Sequence, residues 1–404
     1  MSGHIKFGAD APADGPSHGD RLISALFFIW FAAACIWTLN ALRRPVPPGK
    51  SLPPLWLPGM LISELAPVYF VVRILIAMGF LAAGGADLAM GWFAIWLFVL
   101  SELGLLWLMI RTIRGALATG NAPPLLSLFR VWERLPPGVQ HLEDVPYWNS
   151  LTLDVYSRPG RSDAPALVYV HPGSWMRGRP GRQARAMFHR LAARGWVVLD
   201  IRYPLSPAAT FPEHLIGVKR AIAWAREGGS QLGVDPDRIA IAGGSSGAHL
   251  AALAALTSDN STLQPGFEDA DTSVIACLPF YGIYDLLVRN PTRYDWPFIA
   301  QAVMKAAAAD DPDLYALGSP IDQVRSGAPP FFVIHGEFDS VVLPAESEHF
   351  VAALRDHGVS TEYFEVPGAQ HGFDAVASLR TRAVADMCVH WLETRVRNLR
   401  RDSS

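Results

Sequence analysis

Hydrophobic positions along the chain fall into two regimes. From Leu22 to Leu42 (LISALFFIWFAAACIWTLNAL), 21 residues pass without a charge. At about 1.5 Å per residue that length is enough to cross a hydrocarbon layer of about 30 Å. A second apolar stretch runs from about Leu61 to Ala83 and a third from Leu88 to Ile110, separated by the turn signal GGAD, Gly84 to Asp87. The pattern predicts three membrane helices, the last two forming a hairpin. "AAAC", ending at Cys35, offers the competing reading of a cleaved signal segment. Against it, apolar sequence continues beyond Cys35 and no basic cluster opens the chain. Arg73 and Glu102 sit inside the second and third stretches, at comparable depths counted from the turn. An ion pair between the two helices is therefore expected, with snorkelling of Arg73 toward an interface as the alternative.

After about Pro146 the period changes. LTLDVYS (Leu151 to Ser157) alternates like a half-exposed strand, while ALVYVH (Ala166 to His171) and WVVLDIRY (Trp196 to Tyr203) are short apolar runs that suit buried strands. Leu215, Val218, Ile222 and Ala225 follow at helical spacing, then the strand RIAIAG and a small-residue helix from Ala248. SVIACLPFY, PFFVIHG and TEYFEV supply three more strands, separated by helical stretches. Such alternation predicts an α/β domain, a mostly parallel sheet with helices on both faces. The expected organisation is an amino-terminal arm over 1–20, a transmembrane region over 21–115, a Pro-rich linker over 116–145 and the α/β domain over 146–404.

Composition sharpens this division. Half of the residues are hydrophobic and only 18% are charged, and the excess of apolar residues lies at the front. A net charge of −3 argues against nucleic acid as a partner. Cys35, Cys277 and Cys388 are too scattered for a disulfide framework or a zinc site. With three spans, Arg43, Arg44, Lys50, Arg111 and Arg114 share the side of the α/β domain, against Lys6 and Arg21 on the other. The positive-inside rule then puts the α/β domain in the cytoplasm at the cell membrane, and one miscounted span reverses the assignment.

Candidate chemistry concentrates where strands end. GGSSG, Gly243 to Gly247, fits G-x-S-x-G with Ser245 at the apex. A sharp strand-to-helix turn leaves no room for side chains two positions either side of the apex. Taken alone, the pattern is equally a small-residue turn in a buried α/β unit. A serine hydroxyl needs a base, and the base needs an orienter. Asp339 follows the strand FFVIHG, and His371 follows the next strand in VPGAQHGF. His371 would take the proton of Ser245 while Asp339 holds the imidazole tautomer. Backbone N–H groups of Gly173 and Ser174, in VYVHPGSWMRG, together with that of Ser246, are the candidate donors to an oxyanion; Pro172 has no N–H to offer.

These residues resemble the α/β-hydrolase esterases of the hormone-sensitive-lipase and bacterial carboxylesterase type. The resemblance runs from about Pro146 to the end, on HPGSW, DIRYPLSPAATFPEH, GGSSGAHLA, HGEFDSVV and GAQHGF in the family's order. It implies the triad Ser245, Asp339 and His371 and oxyanion donors Gly173, Ser174 and Ser246. Two departures stand out. His171, Pro172, Gly173 and Ser174 replace the usual His-Gly-Gly-Gly, and Gly244 sits where an acidic residue is frequent.

Other residues have plainer expectations. His335 is structural in the family pattern, and Glu337 is an alternative orienter to Asp339. Asp200, Arg202 and Tyr203 brace the sheet edge. Asp310, Asp311 and Asp313 lack His or Cys company and read as a helix end. Trp175, and Tyr281, Tyr284, Trp296 and Phe298 from an aromatic-rich insertion, are the candidate substrate-binding side chains, with plain core packing as the alternative for each. The expected protein is a membrane-anchored serine ester hydrolase acting on a small-molecule or lipid-derived ester of short to medium acyl length at the lipid bilayer. No metal and no cofactor is expected, and the oligomeric state stays open. An amidase or acyltransferase on the same triad, and a membrane-tethered interaction module without chemistry, are the rival readings.

Overall fold

The computed structural model describes residues 17–46, 55–120 and 123–402. The apolar front of the chain forms helices α1 (His18–Leu42), α2 (Trp56–Glu64), α3 (Ala66–Ala82) and α4 (Ala89–Leu117). Ser17 starts α1 with a reciprocal cap: its hydroxyl accepts from Asp20 N–H at 3.2 Å, and the Asp20 carboxylate accepts from Ser17 N–H at 2.9 Å. Helices α1 and α4 are each long and apolar enough to cross a membrane. The expected unbroken second span is not there: α2 and α3 meet at an angle of 83° and make a span only if counted together. Leu65 leaves helical geometry between them (φ −101°, ψ 12°), and Pro67 in the first turn of α3 has no N–H with which to continue the ladder.

Aromatic rings knit these helices together. Phe27 stacks on Phe80 at 5.0 Å and Phe31 meets Phe98 edge-on at 5.1 Å. The expected Arg73–Glu102 pair does not form within 4.0 Å. Arg73 instead donates through Nη1 to Thr38 Oγ1 of α1 at 2.8 Å, because a third helix offers an acceptor closer than the carboxylate. Ser24 in the first half of α1 donates to Gly85 O at the α3–α4 turn (3.1 Å). One end of the bundle thus holds that turn and the start of α1, and the other holds α2 with the last turns of α1 and α4.

The rest of the chain builds one eight-stranded sheet in the order β1-β2-β4-β3-β5-β6-β7-β8. The strands are β1 (Gln140–Trp148), β2 (Leu151–Ser157), β3 (Ala164–Val170), β4 (Val197–Ile201), β5 (Val234–Gly244), β6 (Cys277–Phe280), β7 (Phe331–Gly336) and β8 (Thr361–Val366). The first two pairings, β1 with β2 and β2 with β4, are antiparallel, and every later pairing is parallel. β1 begins inside the stretch expected to be linker.

Period-two alternation sends neighbouring side chains to opposite layers. Val168, Ile241 and Val333 join Leu215 and Ile222 of α6 (Glu213–Glu227), Leu250 of α7 (Ser246–Leu256) and Phe350 of α9 (Pro344–Asp356). Leu167, Ala240 and Ile334 face the other way, onto Phe188 of α5 (Arg185–Ala193) and Val389 of α10 (Leu379–Asp402). Helix α8 (Pro312–Leu317) is capped by Asp311, whose side chain accepts from Leu314 N–H. The α/β domain has the α/β-hydrolase fold, preceded by an all-α apolar region.

A buried ion pair and the packing of Ala116 of α4 on Leu379 and Ala383 of α10 join the two regions. Arg380 of α10 and Glu64 of α2 pair with both side chains fully buried. Arg380 Nη1 also donates to Pro367 O (2.9 Å) and Nη2 to Ser63 Oγ (3.2 Å), while Ser378 Oγ donates to the second Glu64 oxygen at 2.6 Å.

Candidate active site

Strand β5 ends at Gly244 and α7 begins at Ser246, leaving Ser245 alone at the turn with φ 52° and ψ −120°. A non-glycine residue in that region carries strain of about 1–3 kcal/mol, sustained only by its surroundings. The surroundings here are tight. A Cβ at Gly243 would lie 2.4 Å from Gly247 O, and one at Gly247 would lie 2.1 Å from Val170 O. The Ser245 N–H donates to Phe280 O at 2.9 Å, so the strand that follows in the chain helps to hold the apex.

Asp339 sits past the end of β7, and His371 past the end of β8. The structure brings them to Ser245. His371 Nε2 lies 3.0 Å from Ser245 Oγ, and His371 Nδ1 lies 2.6 Å from Asp339 Oδ2. Asp339 is completely buried, and its other oxygen accepts from the N–H groups of Val341 and Val342, each at 2.9 Å. Burial by itself would raise its carboxyl, but the charge of His371 and hydrogen bonds from His335 and His371 hold it well below the usual carboxylate range. An ionised Asp339 makes Nδ1 the protonated imidazole nitrogen and leaves Nε2 free to accept from Ser245. His335 also touches this carboxylate, with Nε2 3.3 Å from Asp339 Oδ2 and 2.9 Å from Val342 O, while its Nδ1 lies 2.7 Å from Ser347 Oγ. Glu337 accepts from Gly368 N–H at 2.8 Å and does not reach the imidazole.

The loop after β3 carries three consecutive residues at positive φ: Gly173 (147°), Ser174 (56°) and Trp175 (58°). A Cβ at Gly173 would fall 1.7 Å from Arg177 O, so only glycine fits. Among the described residues, the N–H groups of Gly173, Ser174 and Ser246 have no protein acceptor. His171 stacks on Tyr203 at 4.5 Å, and burial pulls its imidazole down to about 4, keeping it neutral. The Tyr203 hydroxyl donates to His171 O at 3.2 Å, and Asp200 accepts from Gly181 N–H at 2.7 Å.

Above Ser245 opens a cavity of about 710 Å³. Gly173, Ser174, Trp175, Tyr281, Trp296 and Phe298 line it with Ser245 and His371. Trp175 is 1% exposed and donates its indole N–H to His249 Nδ1 (3.2 Å); Trp296 and Phe298 stack at 5.9 Å. Tyr284 is a correction. It lies in the core with its ring 4.1 Å from that of Phe350, because the chain after β6 is not helical and turns the two tyrosines to opposite layers.

Several lining residues carry no sequence signal for a site. Leu55, Trp56 and Leu57 reach the cavity from the apolar region. The Trp56 ring stands 5.8 Å from that of His371, edge to face. Gln183 lines the floor and donates to the Tyr281 hydroxyl at 3.3 Å, while that hydroxyl donates to Asp374 at 2.5 Å.

Burial raises the Asp374 carboxyl to about 6, against the opposing hydrogen bond from Tyr281. In an unfolded chain the group titrates near ~3.9, so between about pH 4 and 6 the folded protein binds more protons. Its contribution to stability is complete below about pH 4 and lost as pH rises through about 6, a difference of at most about 3 kcal/mol. Asp374→Asn is expected to flatten this part of the stability curve and to unfold at higher temperature than wild type above pH 6. Thermal midpoints measured from pH 4 to 8 check it.

Elsewhere, His141, Glu143 and Asp154 bring ligand atoms within 4.8 Å of one another. His141 Nε2 already lies 3.2 Å from Asp154, and Glu143 is exposed, an arrangement that a surface ion-pair group explains.

The BD-FAE family model matches residues 153–354, half of the chain. The chain is 47% identical over 252 residues to esterase LipQ of Mycobacterium tuberculosis, covering 60% of each. It is 38% identical over 278 residues to the probable carboxylic ester hydrolase LipM of the same organism, covering 66% of this chain and 63% of that one. The matches thus span about three fifths of these relatives' length. Among solved structures, the apo form of Thermogutta terrifontis esterase 2 superposes with a TM-score of 0.52 at 24% identity, covering 65% of this chain and 93% of that one. That likeness is one of fold.

Proposed function

The chain belongs to the BD-FAE family, and from that premise we propose that it is a membrane-anchored serine carboxylic ester hydrolase. The observation that carries the proposal is the continuous hydrogen-bonded chain from Ser245 Oγ through His371 to the buried Asp339, at 3.0 and 2.6 Å. The similarity to proteins named as esterases supports the same reading.

In this reading Ser245 Oγ attacks the ester carbonyl as His371 Nε2 takes its proton, and Asp339 stabilises the imidazolium. The carbonyl oxygen becomes an oxyanion that the N–H groups of Gly173, Ser174 and Ser246 bind, a contribution worth about 10²–10³-fold per donor in such sites. His371 returns the proton to the departing alcohol, leaving an acyl-serine. Water, deprotonated by His371, attacks that acyl group and releases the acid and free Ser245. Helices α1 and α4, with the bent α2–α3 pair, hold the domain at the cell membrane, and the basic residues Arg43, Arg44, Arg111 and Arg114 favour its cytoplasmic face. The substrates are esters of short to medium acyl chains or amphiphilic esters.

A fluorophosphonate probe and p-nitrophenyl esters of graded acyl length test this on the detergent-solubilised full chain. Labelling at Ser245 together with turnover that peaks at short to medium chains is expected. Neither labelling nor turnover would leave a tethered module without chemistry.

A further inference from the structure

One wall of the cavity does not belong to the α/β domain. Leu55, Trp56 and Leu57, at the start of α2, line the cavity together with Tyr294, Trp296 and Phe298 of the α/β domain. A chain attached to a carbonyl at Ser245 therefore meets apolar side chains from both regions.

The wall is fixed at both ends. The Leu55 N–H donates to Asn40 Oδ1 at 2.8 Å, and Asn40 Nδ2 donates to Leu55 O at 2.9 Å, so both backbone groups are clamped to the last turn of α1. At the other end Glu64 is held by Arg380 and Ser378. Between the clamps α2 passes close to the residue preceding His371, since a Cβ at Gly59 would lie 3.5 Å from Gln370 Nε2. A wall fastened in this way is a built part of the pocket.

Leu55, Trp56 and Leu57 are 59, 39 and 45% exposed, three consecutive large side chains that water would disfavour as a patch. Leu39 on α1 and Leu106, Trp107 and Ile110 on α4 are exposed and apolar too. Those two helices are each long and apolar enough to cross a membrane, and tryptophan favours the boundary where lipid meets water. Ser245 and His371, which also line the cavity, are buried, while Arg177 lines it as an exposed cation.

We infer that α2 is the bilayer-facing wall of the catalytic cavity, that the ester reaches Ser245 across Leu55–Leu57 directly from the lipid, and that Trp56 selects esters whose alkyl chain stays in the bilayer. The inference rests on the serine hydrolase reading for its chemistry, but the placement of the wall is testable without turnover.

The activity test uses the full chain in phosphatidylcholine vesicles, with p-nitrophenyl butyrate supplied in water and p-nitrophenyl laurate carried in the vesicles. Trp56→Ala is expected to lower kcat/KM for the laurate ester at least tenfold more than for the butyrate ester. Trp92→Ala, at the opposite end of α4 and 60% exposed, should change neither by more than twofold. Equal losses on both esters with Trp56→Ala, or none, overturn the selective role of Trp56. If neither ester is turned over by wild type or by Ser245→Ala, the hydrolase reading has failed, and placement is decided separately. For that, Trp56→Cys and Leu57→Cys are labelled with bimane, the three native cysteines being buried. Quenching by nitroxide-bearing lipids is expected at both positions. Quenching by aqueous iodide alone would show a mouth open to water and overturn the inference whatever the activity.

Discussion

Ser245→Ala is expected to lower kcat/KM for ester hydrolysis by about five orders of magnitude while leaving the folded structure in place. The size follows from interdependence: His371 and Asp339 have no proton to move once the hydroxyl is gone, so removing the nucleophile costs about as much as removing all three groups. What remains is the polarising effect of the free N–H groups of Gly173, Ser174 and Ser246 on a bound carbonyl. Little stability should be lost, because among the described residues the Ser245 side chain hydrogen-bonds only to His371, and its N–H still donates to Phe280 O. Steady-state rates on a p-nitrophenyl ester, beside far-UV circular dichroism and the thermal midpoint, make the comparison. A variant that keeps its fold and more than about a tenth of the activity would show that Ser245 is not the nucleophile.

The second large effect concerns stability. Glu64→Ala is expected to destabilise the protein by about 3–5 kcal/mol, because it strands the fully buried Arg380 guanidinium without its carboxylate. Contacts to Pro367 O and Ser63 Oγ remain, but neither bears a charge. Exchanging both residues, Glu64→Leu with Arg380→Leu, should recover most of the loss, since the penalty lies in the uncompensated charge more than in the missing pair. Denaturant midpoints of the single and double variants in one detergent separate the two terms. If the single variant costs no more than the double, the pair is not what fastens α2 to α10.

The parts of the site that sequence made legible share one property: each lies at a strand end that its own neighbours announce. Ile239 to Ala242 run straight into Gly243, and Asp339 and His371 follow three and five residues after the ends of β7 and β8. The sheet with helices on both faces was readable for the same reason, since its alternation is local. What escaped depends on direction or on distance. Apolar residues flank Leu65 on both sides, so composition hides an 83° bend. Counting residues from a turn gives the depth of Arg73 and Glu102 but not the angle at which each leaves its helix, and Thr38 takes the guanidinium. β1 is mostly exposed and carries Pro146, as an edge strand can, so it lacks the hydrophobic alternation that would have marked it. Trp56 lies far from His371 in sequence, and nothing local distinguishes a tryptophan that faces a pocket from one that faces lipid.

The bond between Glu64 and Arg380 spans 316 positions. At roughly 5–20 residues per second, about 15 s to a minute passes after the ribosome has made α2 before it makes the residue that holds it. Throughout that interval the carboxylate lacks the guanidinium that holds it in the folded chain, and α2 has α1 and α4 to pack against through Ala41, Leu105 and Leu108. The wall of the pocket is among the first of its parts to be synthesised, and its ion pair to the α/β domain is completed only by the last helix.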